Sequence, residues 1–69
     1  MSYAICLNNK DYSASLEPRK LYEVIPDIAS EGRGLLRVID ESGEDYLYPK
    51  YMFAVIPIPA NVEAELKAA

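Results

Sequence analysis

Asp40, Glu41, Glu44 and Asp45 crowd one short stretch of this chain, and carboxylates at that density are the first residues that could do chemistry. Acid/base cleavage of a glycosidic bond needs two carboxyls at fixed separation in a cleft, one with its pKa raised by burial. A turn tip is the opposite environment. A calcium loop needs oxygen ligands at alternating positions, and this spacing lacks them. The plainer reading is a solvated turn in which Asp40 binds nearby backbone and the other charges serve solubility. The rest of the inventory narrows further. There is no histidine, the commonest general base and metal ligand, and no threonine or other convincing nucleophile. Cys6 is the single cysteine, so no disulfide framework or multi-cysteine metal cluster forms within one chain. It sits in an apolar run with no cation to lower its pKa, and reads as a small packed residue. The expectation is a non-enzyme with no catalytic residue, no cofactor and no metal.

The six tyrosines carry the other candidate chemistry. Aromatic rings beside acids can cage an alkylated ammonium group through cation–π attraction, which here recruits Tyr46, Tyr48 or Tyr51 with Asp45. The plainer reading places Tyr22, Tyr46 and Tyr48 in the core with their hydroxyls at its rim, leaving Tyr3, Tyr12 and Tyr51 for the surface.

These residues must be positioned by something, and the clearest element is a β-hairpin over residues 35–49. Two runs rich in branched and aromatic residues flank a polar tip. Asp40 suits the first position of a type I turn and Gly43 the positive φ that follows it. Closing the loop with Asp40 opposite Glu44 pairs Val38 with Tyr46 and Leu36 with Tyr48 on one face, and Ile39 with Asp45 and Arg37 with Leu47 on the other. The first face is apolar, so Leu36, Val38, Tyr46 and Tyr48 are the expected core.

The spacing predicts strands over about residues 4–7, 20–25, 35–40, 44–48 and 52–56, and a short helix over about 60–68. Between the first two strands lies a long loop broken by Pro18, with Leu16 as its anchor in the core. Asp27 is placed to cap one helical turn over residues 28–31, stopped by Gly32, and Gly34 releases the chain into the hairpin. Residues 49–51 form a tight turn, one turn of 3₁₀ helix, before the last strand. The C-terminal helix places Val62 and Leu66 one turn apart and Glu63 to pair with Lys67. It is too short to stand alone, so it docks through Val62 and Leu66 or frays.

A chain of 69 residues is one domain, and at that size a fold hides only roughly 60% of the surface its unfolded chain exposes. The N-terminal stretch lacks the basic region and long apolar run of a signal peptide, and no run approaches the ~18 apolar residues of a membrane span. The expectation is a cytoplasmic protein with no membrane association.

Residues 16–56 resemble SH3-like barrels, and Tyr48-Pro49-Lys50-Tyr51-Met52-Phe53 resembles the turn before the last strand of an SH3 domain. A closer resemblance is to short uncharacterised bacterial proteins that carry a strand like Arg19-Lys20-Leu21-Tyr22-Glu23-Val24, then a hairpin like residues 37–49, and end in a short helix. The resemblance implies an all-β fold, a small five-stranded SH3-like antiparallel barrel with a short C-terminal helix, and attaches no activity to it. It would place Pro49, Met52 and Tyr12 along an aromatic groove. The chain has no tryptophan and no Ala-Leu-Tyr-Asp-Tyr motif, so a groove for polyproline is not part of the expectation.

The functional reading is a non-enzymatic protein–protein interaction module, a monomer or weak homodimer. Its candidate surface is Tyr12, Pro49, Tyr51 and Met52, and an open sheet edge could also accept a strand. The alternative is a small nucleic-acid-binding barrel using Arg33, Arg37 and Lys50. A net charge of -4 disfavours it.

Overall fold

Short runs of β-branched and aromatic residues, each ended by proline, glycine or a polar cluster, fold into strands too short to be stable singly, so they pair. The computed structural model describes residues 2–68. Its elements are β1 (Ser2–Cys6), β2 (Leu21–Ile25), α1 (Ile28–Glu31), β3 (Leu35–Ile39), β4 (Asp45–Pro49), a 3₁₀ turn (Lys50–Met52), β5 (Phe53–Ile56) and α2 (Ala60–Ala68). The strands form one antiparallel sheet in the order β4-β3-β2-β1-β5. Phe53 of β5 and Tyr48 of β4 stand at opposite edges of that order, yet their ring centroids are 6.1 Å apart. Only a sheet curled on itself allows this, and the result is a half-barrel with a short helix beyond its last strand. That is the expected mainly-β class.

The core lies inside the curl. Ala4 and Cys6 from β1, Tyr22 and Val24 from β2, Leu36 and Val38 from β3, Tyr48 from β4 and Phe53 from β5 all face it, together with Leu16 from the long loop and Met52 from the 3₁₀ turn. The hairpin register is the expected one, with Leu36 opposite Tyr48, Val38 opposite Tyr46, Arg37 opposite Leu47 and Ile39 opposite Asp45. The tip closes as the sequence dictates. The Asp40 N–H donates to the Glu44 carbonyl, the Gly43 N–H donates to the Asp40 carbonyl, and Gly43 has φ +83°.

Four expectations are corrected. Tyr46 shares the face of Val38 but is 64% exposed. β3 is internal and flanked on both sides, whereas β4 is an edge strand beyond which the sheet stops, so a correct register still leaves Tyr46 uncovered. Tyr3, expected at the surface, is buried on the sheet face opposite the core. It lies mid-sheet, with Glu23 on one neighbouring strand and Ile56 on the other. Burial there raises the pKa of its phenol, as do Glu23 and Glu63. Met52, expected on the surface and in the last strand, belongs to the 3₁₀ turn and is 1% exposed. Alternation counted back along β5 gives its face wrongly, because the turn rotates the chain before the strand begins. Finally, β1 begins at Ser2 and ends at Cys6, since pairing with β2 carries the ladder to Ser2, opposite Val24, while pairing with β5 spans Tyr3 to Cys6.

Asp27 caps α1, its carboxylate accepting from the Ser30 N–H at 3.1 Å and the Ser30 hydroxyl at 2.8 Å. The same carboxylate receives Arg37, whose Nε lies 2.9 Å away, and Nη1 of Arg37 reaches Asp45 at 2.7 Å. One guanidinium thereby ties α1 to both strands of the hairpin. α2 has no buried residue, and both Val62 and Leu66 are exposed. Lys67 and Glu63 approach at 3.8 Å, the expected pairing along the helix.

Candidate functional site

The long loop over residues 7–20 is fixed first by its own backbone. The Ser15 and Leu16 N–H groups both donate to the Tyr12 carbonyl, the Tyr12 N–H donates to the Asn9 carbonyl, and the Asn9 side-chain amide closes the turn on the Leu16 carbonyl at 3.0 Å. Leu16 is thereby inserted into the core, as its isolation in a polar stretch predicted. Tyr12 and Ser15 are left facing the hairpin.

The hairpin tip meets this loop through two polar relays. In the first, the Tyr48 hydroxyl donates to Asp40 Oδ2 at 2.5 Å, and the Ser15 hydroxyl, 2.9 Å away, donates to the Tyr48 oxygen. The other carboxylate oxygen, Oδ1, accepts from the Ser42 N–H at 2.9 Å and the Ser42 hydroxyl at 2.5 Å. In the second, the Tyr22 hydroxyl donates to Glu41 Oε2 at 2.6 Å and accepts from the Glu17 N–H at 2.8 Å, while Lys20 Nζ reaches the same Glu41 oxygen at 2.6 Å. A backbone bond from the Glu41 N–H to the Ser15 carbonyl, 3.0 Å, joins the two. The tip is exposed over residues 41–47, as the expected solvated turn requires. Asp40 makes its side-chain to backbone bond as predicted, but it is also buried at 7% exposure.

Electrostatics follow from these contacts. Burial pushes the Asp40 carboxyl up, but the hydrogen bonds from Ser42 and Tyr48 outweigh it, and its pKa ends below the ordinary carboxylate value. Burial and the Asp40 carboxylate together push the Tyr48 phenol up to about 12. Tyr22 is raised by burial and by Glu41. Glu41 is lowered by Lys20 and Tyr22. None of these groups is poised near neutrality, so none suits proton transfer at that pH.

Between the loop and the hairpin lies a concavity of about 430 Å³ lined by Tyr12, Ser15, Asp40, Ser42, Glu44, Tyr46 and Tyr48. Its aromatic surfaces have defined geometry. The rings of Tyr12 and Tyr48 stand at 86° with centroids 4.9 Å apart, and the ring of Tyr46 lies 6.2 Å from Tyr48 at 46°. Two carboxylates line it and, among the described residues, no lysine or arginine does.

The candidate surface read from the sequence divides. Tyr12 lines the concavity and is 37% exposed, whereas Pro49, Tyr51 and Met52 do not line it. Pro49 is half-buried opposite Leu35, Tyr51 is exposed on the 3₁₀ turn, and Met52 is in the core. Of the basic residues, Arg37 is held between Asp27 and Asp45, while Arg33 and Lys50 come close through the bond from the Lys50 N–H to the Gly34 carbonyl. Sequence reasoning missed Ser15, Ser42 and Glu44 as lining residues, and the long separation between loop and hairpin left no local signal for them. Among the described residues no group of three histidines, cysteines or carboxylates could hold a metal ion, and no helix is long and apolar enough to cross a membrane. No family model, curated protein or solved structure matches the chain.

Proposed function

We propose that the protein is a non-enzymatic interaction module that docks another protein at the concavity between its long loop and its hairpin. The observation that carries this reading is the exposed ring of Tyr46 at the mouth of a concavity whose floor is fixed by the Ser15–Tyr48–Asp40 relay. A rigid floor with an exposed aromatic at its rim is suited to binding, because little ordering remains to be done when a partner arrives. Asp40 and Tyr48 there are shifted away from neutrality, which supports binding over proton transfer. A single buried thiol without a disulfide partner fits a reducing, cytoplasmic setting. The nucleic-acid alternative retains only Arg33 and Lys50, because Arg37 is taken up by two carboxylates.

Affinity capture from the source lysate at low and moderate salt, with nuclease treatment, tests the reading. A discrete protein should be recovered at both salts by the wild type and lost with a Tyr46→Ala bait that melts as the wild type does. Recovery of nucleic acid alone, vanishing at moderate salt, would contradict it.

A further inference from the structure

An aromatic concavity with two carboxylates and no cation in its lining asks for a positively charged occupant. The hydrogen bonds already present decide which kind. Asp40 Oδ1 accepts two bonds from Ser42 and Oδ2 accepts one from Tyr48, so the buried carboxylate contributes its field but has little acceptor capacity left. A bare ammonium brings three N–H donors, and a guanidinium five, that must find acceptors when they leave water. An alkylated ammonium carries the same charge behind methyl groups, asks for no acceptor, and presents C–H surface to ring faces. The rings of Tyr12 and Tyr46 supply that surface at the mouth, and Tyr48, 2% exposed, closes the floor behind them. The Glu44 carboxylate supplies a second negative charge in the lining.

We infer that the concavity formed by Tyr12, Tyr46 and Tyr48 with Asp40 and Glu44 accepts an alkylated ammonium group, borne on a methylated lysine side chain of the partner protein. This rests on the reading of the same concavity as a docking site. A side chain tethered to a macromolecule must enter from outside, and the mouth is open, with Tyr46 64% and Tyr12 37% exposed. The cage weighed from the sequence is thus recomposed. Tyr12 replaces Tyr51, and Asp40 with Glu44 replaces Asp45, whose carboxylate is engaged by Arg37.

The test is a titration of the ¹⁵N-labelled protein with Nα-acetyl-Nε-trimethyl-lysine methylamide, followed by amide shifts in the hairpin tip and around Tyr12. Controls are the unmethylated lysine derivative, a neutral isostere with a tert-butyl group in place of trimethylammonium, and choline. The trimethyl-lysine derivative should saturate those shifts and bind about tenfold more tightly than the neutral isostere, the ratio that cation–π attraction in a partly desolvated site provides. Tyr46→Ala should lose that preference while melting as the wild type does, Tyr46→Phe should keep it, and Glu44→Gln should weaken binding roughly threefold with a shallower salt dependence. Equal binding of the neutral isostere, or shifts confined to other faces, would overturn the assignment. Tighter binding of choline than of the lysine derivative would overturn the protein-borne source. If the titration fails while a protein is still captured through Tyr46, the ammonium assignment falls and the docking reading stands. Saturable binding of the trimethyl-lysine derivative with no protein captured would support the chemistry of the site and overturn the docking.

Discussion

At Asp40, burial and hydrogen bonding act on the carboxyl in opposite directions, and hydrogen bonding prevails. A group whose folded pKa lies below its unfolded value stabilises the fold above the unfolded value, and that contribution is lost as pH falls through the folded pKa. Unfolding free energy should therefore decline as pH drops below about 4, the ordinary aspartate value, and Asp40→Asn should flatten that decline in urea titrations. Tyr48 acts at the other end of the scale. Its pKa rises from 10.0 to about 12, so its contribution is complete below pH 10 and is lost as pH climbs from there toward 12. Tyr48→Phe removes the donor to a buried carboxylate and should cost about 1–3 kcal/mol at neutral pH, while also flattening the alkaline loss. A cost equal to that of Tyr46→Phe, whose ring is exposed, would mean the relay carries no stability. Gly43 has φ +83° with open space where a side chain would go, so the penalty for Gly43→Val is conformational. About 1–3 kcal/mol is expected.

Among the elements, the hairpin was legible because its two strands alternate cleanly and its tip carries turn residues at fixed offsets. Register and turn follow from local sequence alone. What lies beside a strand does not, which is why Val38 and Tyr46, opposite each other, end buried and exposed. Val38→Ala should therefore cost roughly 1–3 kcal/mol, while Tyr46→Ala should leave the melting temperature nearly unchanged. α1 was legible for the same reason as the hairpin, since Asp27 and Gly32 stand at the positions a capped turn requires. α2 buries no residue and is shorter than a helix that persists alone in water. Hydrogen exchange should find its amides weakly protected and those of β1 and β3 strongly protected. Uniform protection across α2 and the sheet would show instead that the helix is firmly docked.

For the molecule as a whole, the fold class was readable and the site only in part, through Tyr12 on the candidate surface and Tyr46 and Tyr48 among the cage aromatics. Strands, turns and the Leu16 anchor are each signalled within a few residues. The concavity depends on Ser15 meeting Tyr48, 33 positions away, and on an unperiodic loop folding back onto the hairpin tip. Only the curl of the sheet brings these together. The burial of Asp40 within an otherwise exposed tip was hidden for the same reason, because Tyr48 and Tyr22 reach Asp40 and Glu41 from β4 and β2. A photo-reactive benzoylphenylalanine at position 46, compared with one at the still more exposed position 28 on α1, tests the docking claim most directly. The expected result is a crosslink to one discrete protein from position 46 and none to that protein from position 28. Crosslinks of equal yield from both positions, or none from position 46 in the presence of a captured partner, would contradict the assignment of the concavity as the docking site.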